Sequence, residues 1–197
     1  MKNIMAKATI EQDFPSGLAI YDLKEFLSIL RLVDKPELSI GDEMVTVSGS
    51  SGRARIKYFF ADENIITTPQ KDVKMPESEV QFTLSIEDLD SIRAASSSYG
   101  HEYFTVKKVG EQITLTVEDI EKYTEKNANN TGNDFSIDVP GTAESDDFVF
   151  IIAVNTVKII RGDYEVSLSS KRIAEFDNKD HDLKYWIALH KSSVYNA

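Results

Sequence analysis

Apolar positions along the chain fall into two rhythms, and the changes from one to the other mark out its elements. Ala8 to Phe14 reads as a short strand that ends at Pro15-Ser16-Gly17. From Asp22 the spacing turns helical: Leu23, Phe26, Leu27, Leu30 and Val33 recur every three or four residues and share one face. Asp22 is a suitable N-cap and Pro36 bars continuation. Strands follow at Glu37 to Ile40, Met44 to Val47 and Arg53 to Phe60, the last two joined by Gly49-Ser50-Ser51-Gly52. Between Ala61 and Glu79 the periodicity disappears, and Pro69 and Pro76 punctuate a polar run that reads as a surface linker.

A second series opens with Val80 to Leu84, which alternates as a half-buried strand does. Ser85 and Asp88 form a capping box for a helix that carries Ile86, Leu89, Ile92 and Ala95 and ends near Gly100. Strands return at Tyr103 to Val109, Gln112 to Val117 and Phe135 to Val139, and the asparagine-rich run Glu121 to Asn133 reads as mobile. The last third repeats the order. Phe148 to Val154 is an apolar strand, Asn155 to Arg161 a short helix stopped by Gly162, and strands follow at Tyr164 to Leu168, Arg172 to Phe176 and Leu183 to Leu189. The chain therefore reads as α+β, with three similar βαβββ half-units and a fourth expected but missing before Leu18.

Composition narrows the chemistry. A chain of 197 residues can bury a real core, and 33 acidic against 22 basic residues give a net charge of −11. A cationic sheath for nucleic acid is excluded, so any DNA contact must be local. With no cysteine, the chain has no disulfides, thiolate metal sites or cysteine nucleophiles. Three histidines leave little scope for metal chemistry, and His101 and His190 have no acidic or histidine partner at ligand spacing. The acidic run Asp177-Asn178-Lys179-Asp180-His181-Asp182 lacks the glycine and distal glutamate of a calcium loop and reads as a hairpin turn. The motifs of nucleotide loops, serine hydrolases and zinc peptidases are absent, so the expectation is no enzyme, no metal and no cofactor. Apolar runs such as Phe148 to Val154 are too short for a membrane helix, and the first ten residues lack a signal-peptide core. A soluble, intracellular protein without membrane contact is expected.

Charge placement remains. Lys24, Ser28 and Arg31 lie opposite the first helix's apolar stripe, Arg93 stands among Ser91, Ser97 and Ser98 on the second helix, and Lys158 and Arg161 are three apart on the third. Such cations either solvate exposed faces and complement helix termini, or track a phosphate backbone without reading bases.

Leu18 to Val33, Val80 to Leu89 and Phe148 to Tyr164 resemble the sliding clamps of T-even-type bacteriophages, the processivity factors of phage DNA polymerases. The resemblance covers nearly the whole chain. It implies a DNA clamp fold of βαβββ half-units, divided here into a truncated first domain at 1–61, a connector at 62–79 and a complete second domain at 80–197. It also implies a homotrimeric ring around duplex DNA, with a DNA polymerase and a clamp loader as partners, acting in the cytoplasm of the infected bacterial host. The hole-lining residues would be Lys24, Arg31, Arg93, Lys158 and Arg161. A partner-peptide groove by the connector would use Ile65, Ile66, Val73 and Met75, residues that equally serve to tether the connector. Subunits would join through the edge strands containing Arg53, Ile56, Tyr58 and Phe60, and Phe135, Ile137 and Val139. The alternative is a clamp-like interaction module that binds partner peptides without enclosing DNA.

Overall fold

The computed structural model describes residues 3–11, 13–14, 17–66, 73–124 and 132–196. Elements follow in the order β1 (Ile4–Ala8), α1 (Leu23–Leu30), β2 (Glu37–Ile40), β3 (Met44–Ser48), β4 (Arg55–Phe59), a 3-10 turn at Glu63–Ile65, β5 (Val80–Leu84), α2 (Ile86–Tyr99), β6 (Tyr103–Val109), β7 (Gln112–Val117) and the one-turn α3 (Glu121–Thr124). After these come β8 (Phe135–Val139), β9 (Gly141–Ala143), β10 (Phe148–Ala153), a second 3-10 turn (Val154–Val157), β11 (Tyr164–Ser169), β12 (Ile173–Asn178), β13 (Leu183–Ala188) and β14 (Val194–Tyr195). They form two compact units, one of Met1–Ile10 with Val73–Ala197, the other of Glu11–Asp72.

The larger unit packs two antiparallel sheets. One has the order β1-β13-β12-β11-β5-β9, the other β14-β10-β6-β7-β8. Its core draws alternate residues from both, including Val80, Phe82, Leu84, Val106, Leu115, Phe150, Ile152, Val166 and Phe176. The sequence motif supplies the caps of α2: the Ser85 hydroxyl accepts from the Asp88 backbone N–H, Asp88 accepts in return from the Ser85 N–H, and Gly100 takes a left-handed conformation at the C-terminus. Leu89, Ile92 and Ala95 are its buried stripe, as their spacing predicts.

This unit contains two half-units, and each lends its leading strand to the other. β5 pairs with β11, and β10 pairs with β6. One core is thereby shared by both halves.

The smaller unit holds a single half-unit: α1 followed by the meander β2-β3-β4. Asp22 caps α1 by accepting from the Glu25 N–H at 2.9 Å. Phe26 is buried and packs on Tyr58 with ring centroids 5.1 Å apart, while Val45 and Val47 point inward from β3. Leu23 and Leu27 are 58% and 46% exposed, so the expected apolar stripe of α1 is covered only in part.

Four expectations need correction. The first strand runs Ile4–Ala8 rather than Ala8 to Phe14, and it belongs to the larger unit, pairing with β13 from Ile4↔Ile187 to Ala8↔Leu183. Its side chains are mostly exposed, so backbone hydrogen bonds hold it and no burial pattern announces it. The helix expected at Asn155 to Arg161 is only the 3-10 turn Val154–Val157, without a side-chain cap. Val154, Thr156, Val157, Ile159 and Ile160 are β-branched and resist a longer helix. Within Glu121 to Asn133, residues 121–124 form α3, and 125–131 lie outside the described residues. Finally, β9 and β14 escaped the periodicity because strands of three and two residues carry too little of it.

Candidate nucleic-acid interface

The five cations expected to face DNA take four different situations. Lys24 lies exposed on α1, and Arg31 forms its C-cap in ordinary helical conformation, also exposed. A cation at this end meets the partial negative charge of the last carbonyls, so Arg31 has a local role beside any ligand. Lys158 is exposed just past the second 3-10 turn.

Arg161 is exposed as well, but its Nη2 hydrogen-bonds to the Asp90 carboxylate on α2. This contact raises its pKa, keeping the guanidinium charged while neutralising part of its outward field.

Arg93 does not face outward. Its Nε donates to the Val157 carbonyl at 3.2 Å and its Nη2 to the Ile159 carbonyl at 3.0 Å, and the side chain is 23% exposed. The 3-10 turn leaves those carbonyls without intrahelical partners, and Arg93 satisfies them. This corrects the expectation for Arg93: its donors are spent on the fold.

Ser96, Ser97, Gly100, His101 and Lys158 help to line a cleft of about 300 Å³ between the end of α2 and the second 3-10 turn. Only Lys158 contributes a positive charge there, beside Glu102. The outward face of α2 presents Glu87, Ala94, Ser97 and Ser98, which makes it small, hydroxylated and poor in cations. Sequence reasoning missed Asp90 as the residue that tempers this surface. The signal was available in the i,i+3 spacing of Asp90 and Arg93, whose groups stand 3.7 Å apart.

The expected groove residues are each placed within their own unit. Ile65 is 58% exposed in the first 3-10 turn and Ile66 is half-buried, both in the smaller unit. Val73 and Met75 are half-buried in the larger one. Among the expected interface strands, β4 and β8 are the outer strands of their sheets. Arg53 precedes β4, and Phe60 follows it, its N–H donating to the Glu43 carbonyl. Ile56, Tyr58 and Phe60 are half-buried and Tyr58 leans on Phe26, so the exposed aromatic of β4 is Phe59, on the opposite face. Phe135 and Ile137 pack partly against the core of the larger unit, and Val139 is buried in it.

The acidic run near residue 180 is an ion-paired turn. Lys184 Nζ approaches Asp177 at 3.0 Å and Glu175 at 3.1 Å, and Lys179 also bonds to Asp177. Among the described residues, no three acidic or histidine side chains gather as metal ligands, and no helix is long and apolar enough to cross a membrane.

Comparison with known proteins places this arrangement. Residues 81–191 match the family model described as gp45 sliding clamp, C terminal. The sliding clamp of Vibrio phage KVP40 is 32% identical over 190 residues, covering 93% of this chain and 81% of the relative. The sliding clamp of Escherichia phage RB69 is 26% identical over 195 residues, covering 97% and 82%. Among solved structures, the DNA polymerase sliding clamp of Caulobacter crescentus superposes with a TM-score of 0.66 at 14% identity, covering 97% of this chain and 52% of that one, a likeness of fold. With the repeated half-units, the shared core and a family match over more than half its length, the chain belongs to the gp45 sliding clamp family.

Proposed function

We propose that this sliding clamp encircles duplex DNA as a homo-oligomeric ring and tethers the phage replicative DNA polymerase for processive synthesis, without catalysing a reaction of its own. The observation that carries the reading is the match to phage sliding clamps along nearly the whole chain. Exposed Lys24, Arg31 and Lys158, with Arg161 in reserve behind Asp90, supply a sparse set of phosphate contacts on a protein of net charge −11. Sparse contacts to phosphate suit sliding, because base readout would pin the ring to one sequence. A clamp loader opens the ring, three subunits being the count that the resemblance implies, and the work is done in the cytoplasm of the infected host. Partner peptides dock near Ile65, Ile66, Val73 and Met75, and ring contacts use the outer strands β4 and β8.

Retention on DNA of different topology tests the proposal. Incubated with a loader and ATP, the protein stays on closed circular or end-blocked duplex and runs off linear duplex with free ends. Equal retention on both overturns encirclement and leaves a clamp-like module that binds partners.

A further inference from the structure

The larger unit shows what one half-unit needs in order to close a core. Each of its leading strands pairs with the first meander strand of the other half, and the register is nearly the same in both. Leu84, which precedes the N-cap Ser85, lies opposite Tyr164, the first residue of β11; Ala153, the N-cap of the second 3-10 turn, lies opposite Tyr103, the first residue of β6.

The smaller unit has one half-unit. Residues 18–21, which hold the place of a leading strand before α1, pair in no ladder, and β2 has β3 on one side and no described strand on the other. Large apolar side chains lie exposed around this opening: Tyr21 at 73%, Leu23 at 58%, Leu27 at 46% and Leu38 at 39%. Leu23 and Leu27 are four apart and share one face of α1. An open strand edge beside a leucine stripe is a docking surface in search of a strand and a helix.

We propose that this face binds the same face of a second copy of the chain, each copy laying residues 18–21 antiparallel on β2 of the other and setting α1 beside the other's α1. What the face lacks is what the face itself offers, which is the condition for an isologous twofold contact. Carried over from β5 and β11, the register places Tyr21 opposite Glu37, Ile20 opposite Leu38, Ala19 opposite Ser39 and Leu18 opposite Ile40 of the other copy. Asp22 and Glu25 balance Lys24 and Arg31 on and beside α1, so two copies meet without like-charge repulsion. The contact goes beyond the DNA reading and does not depend on it. It closes in pairs, giving two chains, or six where it joins two rings of three.

Sedimentation equilibrium of the purified chain without DNA tests it. An even number of chains is expected, and Leu23→Glu with Leu27→Glu weakens the association roughly tenfold or more while leaving circular dichroism and melting unchanged, because both side chains are already exposed. As an independent check, Ala19→Cys with Ser39→Cys in this cysteine-free chain places thiols at Cα positions about 5 Å apart across the contact, close enough for a disulfide. A covalent dimer on a non-reducing gel supports the register, and either single variant alone gives none. A monomer or a trimer of the unaltered chain, or a disulfide closed within one chain, overturns the inference; a trimer leaves the proposed ring standing.

Discussion

Arg93 on α2 turns its Nε onto the carbonyl of Val157, 3.2 Å away and 64 residues along the chain. The contact ties the helix of one half-unit to the turn that replaces a helix in the other. A cation expected at the DNA surface is thereby committed to holding two halves of a domain together. Arg93→Ala should lower stability by about 1–3 kcal/mol, since it strands carbonyls that otherwise accept from a charged donor. Chemical denaturation reads this directly. The salt dependence of DNA binding should stay as it was.

The exposed cations predict the opposite pattern. Replacing Lys24, Arg31 and Lys158 with glutamate should leave denaturation midpoints nearly unchanged, because all three side chains lie on the surface. For every phosphate that no longer meets a cation, the log–log salt slope of DNA binding should flatten by about 0.9. Fluorescence anisotropy on short duplexes over a salt series measures it, and an unaltered slope returns these residues to ordinary solvation.

Asp90 makes a converse test possible. Its carboxylate accepts from Arg161 and lies near Arg93. Asp90→Asn removes one negative charge and leaves Arg161 less tied, so DNA affinity should rise and the salt slope steepen. Lower affinity in a folded variant would count against Arg161 as a phosphate contact.

Acid should reveal the turn near residue 180. Burial pushes the Asp177 carboxyl up, yet the hydrogen bonds from Lys179 and Lys184 outweigh it and hold the group below its ordinary value. Glu79 behaves alike: burial raises it, and bonds from the side chain and backbone of Ser170 bring it below its ordinary value. A carboxyl depressed in the folded state contributes stability that is fully present above its unfolded pKa, about 4, and lost as pH falls through the folded one. Unfolding free energy should therefore decline below about pH 4.5, and Asp177→Asn should make that decline shallower. Denaturant titrations at a series of pH values check it.

Gly141 opens β9 directly against β5. A Cβ placed there would lie 2.5 Å from the Gln81 carbonyl oxygen and 2.7 Å from the Phe82 Cβ. Neither atom can move without disturbing the sheet edge, so Gly141→Ala should destabilise by about 1–3 kcal/mol, visible as a lower melting temperature. Gly52→Ser, at an open turn with positive φ, should cost less because nothing lies near it.

The sequence by itself determined the elements whose residues carry their own signal. The capping box and terminal glycine bound α2, the alternation of Val80, Phe82 and Leu84 marks β5, and the order of strand, helix and meander exposes the repeated half-units. Each of these is a local rule, readable wherever periodicity and caps agree. Only the tertiary structure decided where side chains and edges go. Arg93 and Lys158 look alike in sequence as cations on the polar side of a helix, and a pair of unsatisfied carbonyls in another half-unit claims one of them. β1 has almost no buried residue and exists because β13 offers an open ladder. Leu23 and Leu27 fit the helical stripe as well as Phe26 does, yet burial depends on what lies opposite, and opposite those two the described chain of the smaller unit provides no cover. Hydrogen-bond partners and burial are relations between distant segments, and no local rhythm encodes them.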